Sequence, residues 1–259
     1  MNINRLNGNR LLGVSDSSPI AWINPDASSS MALVCEHAGN AVPAALENLG
    51  LSSDQLREHT AIDIGAAATA QRIAELLDVP LLMQRYSRLV IDCNRPTNAP
   101  DSIPENSHGT IVPANDTLNE QQRKARIDEI FMPYDNALRT LLEAPDRRFA
   151  FSIHSFTPTL KNTLRPWDIG LLFRQDTQTS THLCRYINDI DSSFSVGLNQ
   201  PYQIDDESDW FIPRYAERLG LQHSLIEIRN DHVQSLQGQT RMASILAAAI
   251  TKLVANTDT

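Results

Sequence analysis

Four short segments end in side chains able to do acid–base, metal or anion chemistry. Val34-Cys35-Glu36-His37 ends in a carboxylate and an imidazole, and Val90-Ile91-Asp92-Cys93-Asn94-Arg95 ends in an amide and a guanidinium. Ser152-Ile153-His154-Ser155 carries an imidazole, and Ile226-Glu227-Ile228-Arg229-Asn230-Asp231 carries carboxylates around an arginine. Two imidazoles and a carboxylate, with a position left for water or substrate, make a catalytic zinc set. A further carboxylate can act as general base toward the metal's water. An arginine beside an amide can hold a substrate carboxylate, because the guanidinium plane matches its two oxygens.

Each residue has a plain structural alternative. A histidine after a strand can cap a loop or bond a carbonyl, and His59, His108, His182, His223 and His232 are assigned to that class. Glu227 can be an ion-paired edge residue, Asn94-Arg95 a turn with a surface arginine, and Asp63 the N-cap of the helix that follows. No local motif decides, since the chain has no HExxH, no G-x-S-x-G and no phosphate-binding glycine loop. The case for chemistry is that the four segments end apolar runs, and such ends converge in one kind of fold.

That fold is legible in the periodicities. Met31–Cys35, Pro80–Met83, Leu89–Cys93, Phe149–Ile153, Ile169–Phe173 and Ser224–Ile228 are short apolar runs that read as strands. Three–four spacing predicts helices over Asp63–Leu77, Leu118–Leu142 (with Pro133 as a possible kink), Thr179–Ile190, Trp210–Leu219 and Thr240–Val254. Pro96–Pro113 reads as a long ordered loop, and loops of that length often serve active sites. Alternating helices and fully apolar strands predict a three-layer α/β/α domain with a central, mostly parallel sheet. Ligands in such sheets collect beyond the carboxyl ends of the strands.

Composition bounds the partners. The 259 residues are 41% hydrophobic and 20% charged, enough for a sizeable core, and the net charge is −9. That balance argues against sequence-independent binding to nucleic acid or an anionic membrane, but leaves room for a small anion held by a local arginine cluster. No apolar run approaches the roughly 18 residues of a membrane helix, and the N-terminus has no secretory pattern. Cys35, Cys93 and Cys184 are odd in number and scattered, which points to a reducing cytoplasm. Residues 1–30 are polar and read as an irregular extension, and residues 31–259 as one domain.

The strings VCEHAGNAVP (34–43), AIDIGAAATA (61–70), YSRLVIDCNRP (86–96), FSIHSFTP (151–158), RPWDIGLL (165–172), NQPY (199–202) and LIEIRND (225–231) resemble the N-formylglutamate amidohydrolase family, in order and over nearly the whole chain. More distantly they are similar to the zinc carboxypeptidase fold, a mixed sheet between helices. The resemblance implies metal-dependent hydrolysis of an N-acyl bond on an amino acid, releasing formate and glutamate in the family's named reaction, with histidine breakdown as its context.

Carried onto this chain, the resemblance makes His37 and His154 metal ligands and Glu227 the general base and later proton donor. Arg88 would stabilise the oxyanion and, with Asn94, Arg95 and Arg165, grip substrate carboxylates. Carboxypeptidases place a glutamate three residues after the first histidine, where this chain has Asn40, so Asp63 is expected as third ligand, with Glu36 next. Zinc is the expected ion, with cobalt, manganese or nickel as alternatives. Asp135 and Tyr215 stand where the family pattern often has histidines, which bears on specificity. Two rivals remain: another metal-dependent amidase or peptidase on the same scaffold, and a non-catalytic binder of small carboxylates. A serine hydrolase through Ser155 or Ser87 is remote, because neither lies in a nucleophile turn.

Overall fold

Apolar runs without helical spacing become strands, and runs with that spacing become the helices that cover them. The computed structural model describes residues 10–257. Its strands are β1 (Ile20–Ile23), β2 (Met31–Cys35), β3 (Leu81–Gln84), β4 (Asn106–Ser107), β5 (Thr110–Ile111), β6 (Phe149–Phe156), β7 (Thr159–Leu160), β8 (Thr163–Leu164), β9 (Ile169–Leu172), β10 (Val196–Leu198) and β11 (Gln222–Arg229). The α-helices are α1 (Ala66–Leu77), α2 (Glu120–Arg126), α3 (Met132–Leu142), α4 (Thr177–Ile190) and α5 (Leu236–Thr257).

Seven strands form one sheet in the order β1-β3-β2-β6-β11-β9-β10, and β4–β5 and β7–β8 are separate two-stranded ribbons. Within the sheet, β1–β3 and β11–β9 are antiparallel and the other neighbours are parallel, the mixed, mostly parallel arrangement expected. Every residue of β6 is buried, because both faces of the sheet are covered. Strand alternation divides the core into two layers. Leu33, Phe151, Ile153 and Ile226 meet α1, α4 and α5 through Ile73, Leu183, Ile187, Leu246 and Ile250. Val34, Leu82, Ala150 and Leu225 meet Tyr134, Leu138 and Leu142 of α3 and Phe211 and Ile212 on the other side.

Several expectations shift. Residues 1–9 lie outside the described residues, and within the stretch read as irregular, Ile20–Ile23 form the edge strand β1, with Ile20 opposite Gln84 and Ile23 opposite Leu81. Four non-polar residues suffice once β3 offers its free edge. Leu89–Cys93 is not a strand: it is a buried turn, with the Val90 N–H donating to Ser87 O (2.9 Å) and the Asp92 N–H to Ser102 O (2.8 Å). A short apolar run signals burial but not the shape of the backbone. Residues 120–142 form one helical rod opened by a capping box between Asn119 and Gln122, two residues later than the spacing predicts, and its Ile127–Phe131 stretch widens to π-helix just ahead of Pro133. Proline has no N–H for the regular ladder, which accounts for the widened turn. In the segment 210–219, Ile212–Ala216 is π-helical and also carries a proline, Pro213.

The buried turn needs partners for its carbonyls, and Arg126 supplies them from α2. Its Nη1 donates to Val90 O (2.9 Å) and Asn115 Oδ1 (2.6 Å), and its Nη2 to Ala114 O (3.2 Å). Asn115 Nδ2 in turn donates to Leu89 O and Pro104 O. Burial pushes the Arg126 guanidinium down to about 10, so it stays charged at neutral pH. Arg126→Leu is expected to lower the unfolding free energy by about 3 kcal/mol, because it orphans three buried acceptors. Urea unfolding with an unchanged denaturant slope is the check, and a loss under about 0.5 kcal/mol refutes the role.

Candidate active site

Glu36-His37 follow the carboxyl end of β2, and His154-Ser155 are among the last three residues of its neighbour β6, at the same end of the sheet. Asp63 joins them from the turn before α1, where its N–H donates to His37 O (3.1 Å). Asp63 is not the helix cap: α1 starts after Gly65, with φ of 80° and no side-chain cap. A Cβ on Gly65 would overlap the Val233 carbonyl oxygen, so the turn that aims Asp63 requires glycine there.

Asp63 Oδ2 lies 3.3 Å from His37 Nδ1 and 2.9 Å from His154 Nδ1. The opposite ring nitrogens are anchored as well. His37 Nε2 is 2.8 Å from Asp92 Oδ1, and His154 Nε2 is 3.0 Å from Glu36 Oε2, which also accepts the Ser152 hydroxyl (2.6 Å). Both imidazoles thus turn Nδ1 toward one point. One donor atom from each of His37, Asp63 and His154 lies within 4.8 Å of the others. Two imidazole nitrogens and a carboxylate oxygen, each imidazole backed by a carboxylate, are a donor set that could hold a zinc-like ion.

Glu227 stands beside His154 across the parallel β6–β11 pair. Its Oε2 is buried with no hydrogen-bond partner among the described residues. Burial raises the Glu227 carboxyl above its usual range against the pull of His154, Arg88, His37 and Arg165. Burial, then the Arg88 charge, pushes the His37 imidazole down to about 4, although Asp92 opposes them. Burial works against charge on His154 too, but the Glu36 hydrogen bond and charge prevail and raise it. Burial also opposes charge on Asp92, yet His37, Arg95 and Arg88 hold its carboxyl well below the ordinary range.

These groups line a cavity of about 330 Å³ together with His59, Arg88, Asn94, Arg95, His108, Tyr202, Gln203 and Asp209. Its size suits one amino-acid derivative. The Arg88 guanidinium abuts Asp63 Oδ1. Arg95 is committed to Asp92 (3.5 Å), Asp101 (3.1 Å) and Ser208 O (3.2 Å). Asn94 Oδ1 accepts the N–H groups of Phe211 (2.9 Å) and Trp210 (3.3 Å), which leaves its Nδ2 end for the cavity. Arg165 lies behind the wall, with its guanidinium 4.8 Å from the centre of the Tyr202 ring.

Other sequence candidates fall elsewhere. Asn40 turns away, its amide donating to Leu56 O (2.8 Å), and Glu36 sits behind His154 rather than beside it. Asp135 and Tyr215 do not line the cavity. They bond each other (2.6 Å), and Asp135 also takes the Trp210 indole N–H (2.7 Å), so the pair holds the segment whose backbone fixes Asn94. Ser155 and Ser87 donate their hydroxyls to Ile64 O and Ala61 O. The reading of single residues missed Asp92, Tyr202 and Asp209, and it placed His59 and His108 among the structural histidines although both line the cavity. Asp92 and Tyr202 lay within two of the quoted strings, and His108 within the long loop, but nothing in spacing singled them out. Gly170 was missed too: it faces Glu227 from β9, and a Cβ there would overlap the Gln200 carbonyl oxygen that leads to Tyr202.

The N-formylglutamate amidohydrolase family model matches residues 29–233. Among solved structures, gene product Atu2144 from Agrobacterium tumefaciens is 31% identical, with a TM-score of 0.88 over 96% of this chain and 100% of that one. N-formylglutamate amidohydrolase from Ralstonia eutropha JMP134 shares the fold at 17% identity, with a TM-score of 0.69 over 92% of this chain and 97% of that one. No functionally curated protein matches the sequence.

Metal-stripped full-length chain is expected to take up one zinc ion. Asp92→Asn, which loosens the His37 ring, is expected to weaken uptake about 10- to 100-fold, and His154→Ala to abolish it. Competition with a zinc chelator measures both, and wild-type affinity in His154→Ala would show that the ion sits elsewhere.

Proposed function

The chain belongs to the N-formylglutamate amidohydrolase family, and on that premise we propose that it hydrolyses N-formyl-L-glutamate to formate and L-glutamate, with a zinc ion at His37, Asp63 and His154. The observation that carries the reading is Glu227: a buried carboxylate with an unpartnered oxygen, beside two imidazoles that aim their Nδ1 atoms at one carboxylate. A divalent ion held there supplies a Lewis acid for the scissile carbonyl and makes a water more acidic.

The remaining work falls to the chain's own side chains. Glu227 takes the proton of the attacking water, and its raised affinity for protons, set by burial, suits that task. It then gives the proton to the leaving nitrogen as the C–N bond breaks. Arg88, facing the same space, balances negative charge growing on the formyl oxygen. Asn94 Nδ2 holds the substrate's α-carboxylate, which aligns the formyl carbon with the water, while Arg165 backs the Tyr202 ring in the wall. Arg95, already tied to two carboxylates, shapes the wall around Asn94 more than it binds directly. A reducing cytoplasm is the proposed compartment, supported by the free Cys35, Cys93 and Cys184.

Glu227→Gln is expected to keep zinc uptake and to lower kcat for formate release by about 10²- to 10⁴-fold. A formate assay paired with metal analysis on the same sample decides it. Near wild-type turnover with zinc bound removes Glu227 as the base. A panel of N-formyl, N-acetyl and N-succinyl amino acids tests the acyl group, and faster turnover of another acyl chain moves the substrate assignment.

A further inference from the structure

His59 stands on the bend between the short 3₁₀ turn Gln55–Arg57 and α1, and the same bend delivers Asp63 four positions later. Other groups hold that backbone: the Ile62 N–H donates to Glu58 O (3.3 Å), the Ser87 hydroxyl to Ala61 O (2.8 Å) and the Asp63 N–H to His37 O (3.1 Å). Among the described residues the His59 ring makes no hydrogen bond, although only 14% of the side chain is exposed. A buried imidazole that neither caps nor ties its own segment has no structural task there.

The two ring nitrogens face different surroundings. Nδ1 is buried 3.6 Å from Asp63 Oδ1, just beyond hydrogen-bond reach, on the side of Asp63 away from the oxygen shared by His37 and His154. The ring lines the cavity, and with Nδ1 buried the nitrogen open to that space is Nε2. Burial, then the Arg88 charge, pushes the imidazole down to about 2, so at neutral pH it carries one hydrogen. A bare lone pair facing a carboxylate oxygen is repelled, which assigns the hydrogen to Nδ1 and leaves Nε2 an acceptor. Asp63 Oδ2 is the oxygen aimed at the ion, so His59 lies one carboxylate away from it, where atoms bonded to the scissile carbon must sit.

An N-acyl amino acid carries one amide N–H into this space, and a buried donor left unmet costs about 1–3 kcal/mol. The carboxylates nearby are engaged: Asp63 and Asp92 with histidines and arginines, and Asp209 Oδ2 with the Asp205 N–H and Ser208 hydroxyl. Glu227 is reserved for the water. We propose that His59 Nε2 accepts the N–H of the scissile amide and is thereby a catalytic residue that selects secondary amides. When water adds, the nitrogen becomes tetrahedral and its lone pair must face Glu227 to receive the proton. Holding the N–H on His59 fixes that direction. The nitrogen gains positive charge as the proton arrives, so the N–H···N bond strengthens then and acts on kcat. His59 itself neither gains nor loses a proton. The inference rests on the hydrolytic reading of the same cavity.

The probes are N-formyl-L-glutamate and its N-methyl derivative, which lacks the hydrogen, with kcat and KM measured on the zinc-loaded full chain. Wild type is expected to favour the N–H substrate at least about tenfold. His59→Leu is expected to lower kcat for that substrate about 10- to 100-fold and to change turnover of the methylated one less than about threefold. His59→Gln, close to leucine in size, places an amide oxygen near the position of Nε2 and is expected to keep most of the preference. A wild-type ratio near one, a His59→Leu loss equal on both substrates, or leucine and glutamine variants that behave alike, overturns the proposal. Zinc uptake verifies folding, and His59→Met takes the place of a leucine variant that fails it. Calorimetry with the same two amides separates this result from the reading it rests on. If neither amide is turned over, the hydrolytic reading fails. A binding preference for the N–H compound that His59→Leu removes still upholds the contact, while one that persists, or is absent in wild type, overturns it.

Discussion

Asp63 Oδ2 lies between two imidazole nitrogens, and most of the site follows from the cost of burying that arrangement. Asp63, Asp92, Glu36, His37 and His154 are all buried at one edge of the sheet. Ionised groups removed from water are tolerated only when paired and hydrogen-bonded. Asp92 and Glu36 meet that requirement from behind by taking the outer nitrogen of each ring, which leaves both inner nitrogens aimed at Asp63. The geometry suited to a metal ion is the same geometry that makes the buried charges affordable. Glu227 is the exception, and an uncompensated buried carboxylate beside such a cluster is what a proton-transferring group looks like.

The sheet order is the device that brings these groups together. β2, β6 and β11 are adjacent and parallel, so Glu36-His37, His154 and Glu227 leave or stand near the same edge although up to 191 positions separate them in sequence. Parallel pairing places Glu227 level with His154. On the far side β9 runs antiparallel and offers Gly170, whose missing side chain lets the Gln200–Tyr202 segment approach. The opposite wall is irregular backbone, and there the chain depends on buried polar side chains. Arg126 and Asn115 satisfy the turn that carries Asp92 and Asn94, and Asp135 with Tyr215 holds the segment that fixes Asn94. Asp135 and Tyr215 thus affect the cavity through the backbone, without touching its contents.

Much of this was legible in the residues alone. The apolar runs of β2, β6, β9 and β11 and the three–four spacing of α1, α3, α4 and α5 announce a covered sheet, because burial on both faces leaves no polar alternation. Leu89–Cys93 shows the limit: a run equally apolar is a turn, since burial and backbone conformation are separate properties and only the latter defines a strand. β1 escaped notice for the converse reason, since an edge strand is created by its neighbour's free hydrogen bonds more than by its own composition.

The same division holds for the site. Residue types and their positions at strand ends were enough to nominate His37, His154 and Glu227, because few side chains combine metal affinity or basicity with such placement, whereas Asp63, which no strand carries, was named only through the family resemblance. Which partners those groups take was decided by tertiary structure. Asp92 behind His37, Glu36 behind His154, Asn40 turned away, Arg95 already bound and His108 brought in on a hairpin all depend on distances of about 3 Å. Such distances are set by register, loop path and packing across the whole fold, and no local stretch of chain encodes them.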